Sequence, residues 1–254
     1  MPVIRHPGQL PATDGPGWHQ QEWASAAVFG EPVPMRARRY QLDPGAAGPG
    51  IALGGQEAFG YVIAGTGAGR AGPDSYLLAR ESVLWLGGCD ALALTAGQDG
   101  LDVLVAESTG QPVPAPPRRP FTASKAFAAT ELPHLASTRD TRDRMDLVTD
   151  DVPVGATQLR ADRIVYHPGD TAAAHYHSGC HHVYCVLAGA GLLYADDQAY
   201  RLAAGMSALI RPGEVHWGEN DQADNFSFVE FWAPPPTGTV WTVSGDQCTW
   251  ATVS

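Results

Sequence analysis

Gly45, Gly65 and Gly67 return as Gly169, Gly189 and Gly191, each 124 residues further along the chain. Around them, RRYQLDPG and GYVIAGTGAG are echoed by DRIVYHPGD and VYCVLAGAGL. Three landmarks at one offset, with no gap, mark an internal duplication. A chain of 254 residues built in this way folds as two similar halves. Between them QPVPAPPRRP (111–120) is dense in proline and carries no periodicity, so it reads as a stiff linker. The copies cover about 20–110 and 121–254, and the domains are set at 1–115 and 116–254.

Within each copy the apolar runs are short. RIVY, VYCVL, SALI and FSFVEFW are rich in β-branched and aromatic residues and are closed off by PGD, AGAG, RPGE and ENDQAD. The 29 glycines and 21 prolines suit many turns better than long helices. The fold class is therefore all-β, a sandwich or barrel of antiparallel strands. SKAFAATELPHLAS (124–137) is the one stretch that reads as a short helix.

A net charge of −11 excludes the basic footprint of a nucleic-acid binder. The cationic clusters, Arg36 with Arg38 and Arg39, Arg118 with Arg119, and the mixed stretch STRDTRDRMD, read as solvated surface. No run is long and apolar enough for a membrane span, and the first residues have no apolar leader core. A cytoplasmic location is expected. Cys89, Cys180, Cys185 and Cys248 show no C-x-x-C spacing and read as free thiols.

Four of the nine histidines fall in the eight residues HYHSGCHH. His175 and His177 are two apart, so on a strand their rings share a face. His182 follows after a Ser-Gly turn, and His216 lies beyond a second turn in GMSALIRPGEVHWGEN. Imidazoles gathered in an apolar barrel are costly to bury without a common partner. A divalent metal is that partner, because neutral imidazole is the commonest protein ligand for transition metals. His6, His19, His134 and His167 stand apart and read as ordinary surface or core residues.

These residues resemble the cupins. Gly169, His175, His177, His182 and Gly189 match the first cupin motif, G-(x)5-H-x-H-(x)3-4-E-(x)6-G, at every spacing, with His182 where the family has glutamate. Gly205, Arg211, Gly213, His216 and Asn220 match the second, G-(x)5-P-x-G-(x)2-H-(x)3-N, with Arg211 in place of proline. The resemblance implies two tandem jelly-roll barrels, a bicupin, and one divalent transition metal per chain (Fe, Zn, Ni, Mn or Cu) on His175, His177, His182 and His216. His181 is a rival to His182, since the family admits a spacer one residue shorter. A homodimer is expected on the same ground. At the offset of 124 the ligand positions of the first copy are Ile51, Leu53, Ala58 and Leu92, all aliphatic, so the first barrel is expected to be structural.

Four neutral imidazoles would leave the metal its full charge, making it a stronger Lewis acid than one held by a carboxylate. They also remove the family's glutamate as a base. Tyr184, on the His182 face, and Arg211 are the catalytic candidates. Arg163, Tyr166, Trp217, Glu230 and Trp232 are candidates for contact with a small-molecule substrate. The favoured reaction is a dioxygenation. The alternatives are a non-redox isomerase, cyclase or lyase, an aminohydrolase resembling the ureidoglycine aminohydrolases, and a non-catalytic ligand-binding protein.

Overall fold

The computed structural model describes residues 1–54, 56–110, 125–128, 131–132, 134–137, 140–149, 156–242 and 251–252. The linker 111–120 and Cys248 lie outside them. The chain divides into two compact units. One comprises Met1–Gln9, Pro133–Leu147 and Arg160–Ser254, and the other Leu10–Leu132 and Val148–Leu159.

A single cut at 115/116 does not describe this division, because the halves exchange segments. The strand Val3–Arg5 pairs antiparallel with Ser207–Ile210, Val3 facing Leu209, and so completes the C-terminal unit. In return, 157–159 are tied into the N-terminal unit by Glu57. Its carboxylate accepts the backbone N–H groups of Thr157, Gln158 and Leu159 at 2.8, 2.6 and 3.1 Å. The described part of 124–137 contains no α-helix where a short helix was expected. Lys125–Ala128 is a strand paired with Ser82–Trp85, and His134–Ala136 a strand paired with Asp143–Val148. Strand partners far along the chain override the local helix preference.

The C-terminal unit is built on two sheets. The larger runs in the order Val3–Arg5, Ser207–Ile210, His181–Ala188, Phe226–Ala233, Arg160–Tyr166, Asp143–Val148, His134–Ala136 and Ala251–Thr252. The smaller runs Gln198–Ala203, Ala190–Ala195, His216–Glu219, His175–His177 and Thr239–Trp241. The expected runs 163–166, 183–187, 207–210 and 226–232 all lie in strands. Their core gathers Ile164, Tyr166, Tyr184, Val186, Leu193, Leu202, Phe226 and Phe228.

The N-terminal unit carries one sheet of nine strands over a core of aliphatic side chains with Tyr40. The duplication is written into its backbone. Gly65 and Gly189 have φ of +80° and +68°, where an L side chain is strained. A Cβ on Gly65 would lie 2.2 Å from the carbonyl oxygen of Gly100, and one on Gly189 2.1 Å from that of Asn225. Each copy thus needs glycine at the equivalent position for two reasons. Ile51 faces Leu92 across antiparallel strands, and His175 faces His216 in the same way.

Candidate metal centre

His175 and His177 sit on a three-residue strand with one residue between them, so both rings enter the barrel, and both are buried. His216 opens the neighbouring strand and lies opposite His175. One ring nitrogen from each of the three lies within 4.8 Å of the others. Their second nitrogens are anchored. His175 Nδ1 is 2.7 Å from the Ala173 carbonyl oxygen, and His216 Nδ1 is 2.8 Å from that of Glu214. A carbonyl can only accept, so both rings carry their proton on Nδ1 and leave the Nε2 lone pair free. His177 Nδ1 is 3.0 Å from the Thr239 hydroxyl, which fills the same place. The Nε2 atoms of His177 and His216 are buried without a hydrogen-bond partner.

Burial is the main force on their protonation. It holds His175 and His177 well below the usual imidazole range and His216 at about 3, and neighbouring imidazoles push in the same direction. Three neutral rings, oriented through Nδ1 and offering buried lone pairs, form a donor set that fits one divalent transition metal.

The fourth imidazole stands beside this trio, and its Nδ1 is likewise buried without a hydrogen-bond partner. His182 is buried, with its ring centroid 4.8 Å from that of His177 and 5.3 Å from that of His216. Its Nε2 lies 3.2 Å from Glu230 Oε2, and its ring stacks on Trp232 at 4.5 Å and 18°. Four converging donors were expected, and three converge. Strand pairing explains the difference: His182 stands opposite Trp232, and its neighbour Tyr184 opposite Glu230, so the carboxyl reaches the imidazole diagonally. His181, the rival, is half-buried, outside the trio and paired with Ala233.

A cavity of about 300 Å³ opens on His175 and His177. Glu230 and Trp232, two of the candidates for substrate contact, line it. The other candidates do not. Tyr184 is a core residue stacked on Phe228 at 4.4 Å, and burial pushes its hydroxyl well above the usual range, away from proton transfer at neutral pH. The Tyr166 hydroxyl accepts from Arg142 Nη1 at 3.0 Å within the same core. Arg211 turns its guanidinium to the Met1 carbonyl, and its backbone N–H donates to Glu214 at 3.0 Å. Trp217 stacks on Tyr194 at 3.6 Å and lines a different pocket, with Asp196 and Val215. Arg163 is half-buried and absent from the lining. His19 and His167 pair with Asp14 and Asp170 at 2.7 and 3.1 Å, as surface histidines do.

Sequence reasoning missed the opposite wall. Arg142, Arg144 and Asp146, from STRDTRDRMD, line the cavity together with Arg160. Arg142 and Arg144 are buried, which overturns their reading as solvated surface. Arg144 Nη2 donates to Asp146 at 2.7 Å, and its Nε lies 2.8 Å from the wholly buried Asp162. Burial, more than any charge, pushes Asp146 and Glu230 up to about 7. The signal was the alternation itself: Arg142, Arg144 and Asp146 are spaced by two, as on one face of a strand.

Residues 162–232 match the family described as "Cupin domain". No curated protein matches the chain. Among solved structures it is similar to oxalate decarboxylase of Bacillus subtilis. A structure of that enzyme described by its Mn(II) centres superimposes with a TM-score of 0.75 at 12% identity, covering 94% of this chain and 79% of that one. Another, at pH 4.6, gives 0.75 at 12% identity, with 94% and 78% covered. At that identity the likeness is one of fold.

Proposed function

We propose that this two-barrel cupin protein is a metal-dependent enzyme acting on a small organic molecule, with its chemistry confined to the C-terminal unit. The observation that carries this reading is the convergence of three neutral, buried imidazoles, two of which, His175 and His177, line a cavity large enough for a small substrate. His175, His177 and His216 would hold the metal. When bound, it supplies a Lewis acid that polarises a substrate oxygen. Thr239 and the carbonyls of Ala173 and Glu214 fix the three rings. Glu230, on the cavity wall and held by His182, is the group placed to take or return a proton.

Non-redox chemistry of the lyase or isomerase kind is the favoured class. The structurally similar oxalate decarboxylase, with its Mn(II) centres, supports it through the fold. So does the buried carboxyl, which gives acid–base chemistry a place to act. Dioxygenation is the second reading, favoured by one observation: the converging protein donors are three imidazoles, a set that would hold a transition metal and supply redox chemistry while leaving it accessible to substrate.

Metal analysis of untagged protein, paired with oxygen-uptake assays across small organic substrates, decides between them. Manganese, zinc or nickel with turnover and no oxygen consumed upholds the first class. Iron with oxygen consumed one-for-one with substrate replaces it with the second. Failure to take up any divalent metal would overturn both.

A further inference from the structure

We infer that the cavity beside the three imidazoles takes a small carboxylate, and that Arg160 is the residue that holds its carboxylate group. The inference rests on the metal-site reading above and names the substrate class of that site.

Three guanidiniums face the cavity, and two are committed. Arg142 donates to the Tyr166 hydroxyl at 3.0 Å and to Asp140 at 3.4 Å. Arg144 is pinned between Asp146 and Asp162 at 2.7 and 2.8 Å. Arg160 is held more loosely. Its Nη2 donates to Asp146 at 3.5 Å, a long hydrogen bond, and its Nε lies 3.8 Å from Asp162. Its side chain is 27% exposed, and its guanidinium carbon lies 5.6 Å from the Trp232 ring centroid. The two aspartates keep Arg160 in place and leave most of its donor fork unused.

The first copy shows what occupies such a fork when it is structural. Arg36, 124 residues before Arg160, lies opposite Glu107, and its Nε donates to that carboxylate at 2.7 Å. Arg160 lies opposite Trp232 instead. The second copy has a flat indole where the first has the neutralising carboxylate. Trp232 lines the cavity beside Arg160. A wall with a guanidinium fork that makes one long hydrogen bond calls for a ligand rich in acceptors.

Charge agrees. Asp140, Asp146, Asp162 and Glu230 are the acids around the three arginines, and burial raises the pKa of each. Even with all four ionised, three guanidiniums and a divalent ion outnumber them by one charge. A carboxylate fits better than a phosphate, because a second negative charge would face Asp146 and Asp162 at the same end. Trp232, Trp241 and Leu135 give the carbon body of an organic acid apolar walls.

The test titrates full-length protein, metal-loaded and metal-free, with malonate, succinate and glutarate. The neutral diamides of the same acids and inorganic phosphate are run alongside. Binding is read by tryptophan fluorescence and calorimetry. At least one diacid should bind the loaded protein tenfold or more tightly than its diamide. Arg160→Gln should abolish that preference at unchanged metal content, and Arg160→Lys, which keeps the charge and loses the fork, should fall between. Equal binding of diacid and diamide, an undiminished preference in Arg160→Gln, or phosphate binding tighter than every diacid would each overturn the inference. Loaded metal without discrimination sinks this inference alone. Discrimination in a protein that takes up no metal sinks the metal reading and leaves the anion site standing.

Discussion

Where the C-terminal unit sets His175 against His216, the N-terminal unit sets Ile51 against Leu92. The register is the same and the chemistry is opposite. Ile51, Leu53, Ala58 and Leu92 are buried in the first core as completely as His175, His177, His182 and His216 are in the second. The difference teaches that the barrel does not depend on its ligands. Turn glycines and strand register fix the backbone, and the inner positions at one end can then be filled with hydrocarbon or with imidazole. Hydrocarbon stabilises by leaving water. Buried imidazoles cost desolvation that only a common partner offsets.

The largest effect should separate the two units outright. His175→Ala or His216→Ala is expected to reduce bound metal from one per chain to almost none, and with it the gain in melting temperature on metal addition. That gain corresponds to about 2.7 kcal/mol when free metal is at a hundred times its Kd. Inductively coupled plasma analysis and thermal scans with and without chelator read both quantities. His182→Ala sharpens the point. It should keep most of the metal and lose turnover, since its ring is tied to Glu230 outside the trio. Loss of metal equal to that of His175→Ala would restore His182 as a ligand. His181→Ala should keep both.

The mirror experiment acts on the first unit. Leu92→Ala empties a side chain that is 1% exposed, with a cost of about 2–5 kcal/mol in global stability. Metal content should remain at one per chain. Urea melts give the first number and metal analysis the second. A Leu92→Ala variant that unfolds no more easily than the parent would mean that the first core carries little of the stability assigned to it.

How much of this was legible in the sequence follows from the same contrast. The duplication and the trio could be read because each rests on local requirements. Left-handed backbone against a carbonyl demands glycine at Gly65 and Gly189, and a short strand puts His175 and His177 on one face. The arginine wall of the cavity could be read only as one face of a strand, because what that face meets is assembled from distant strands. Alternating Arg142, Arg144 and Asp146 look the same on a strand facing water as on one facing Asp162 and Glu230. The exchange of Val3–Arg5 into the C-terminal unit is likewise a long-range pairing with no local signature. At His182 the motif gave the position, and the cross-strand neighbours Trp232 and Glu230 determined the partner.

The smallest expected effect compares two arginines at one place in the repeated fold. Arg36 donates to Glu107, a carboxylate 3% exposed that is shared with Arg38 at 2.7 Å. Removing Arg36 leaves a buried carboxylate with one cation where it had two, so Arg36→Gln should cost about 1–2 kcal/mol in urea melts. Arg38 limits the loss by staying in place. Arg160 has no such dependant. Its ion pairs at 3.5 and 3.8 Å are long, and Asp146 and Asp162 keep Arg144. Arg160→Gln should therefore change stability by no more than about 0.5 kcal/mol. If Arg160→Gln proved as destabilising as Arg36→Gln, the second arginine would be structural like the first, and its fork would not be open to a ligand. If the two costs differ in the expected order, the same backbone position is a strut in one copy and an open hand in the other.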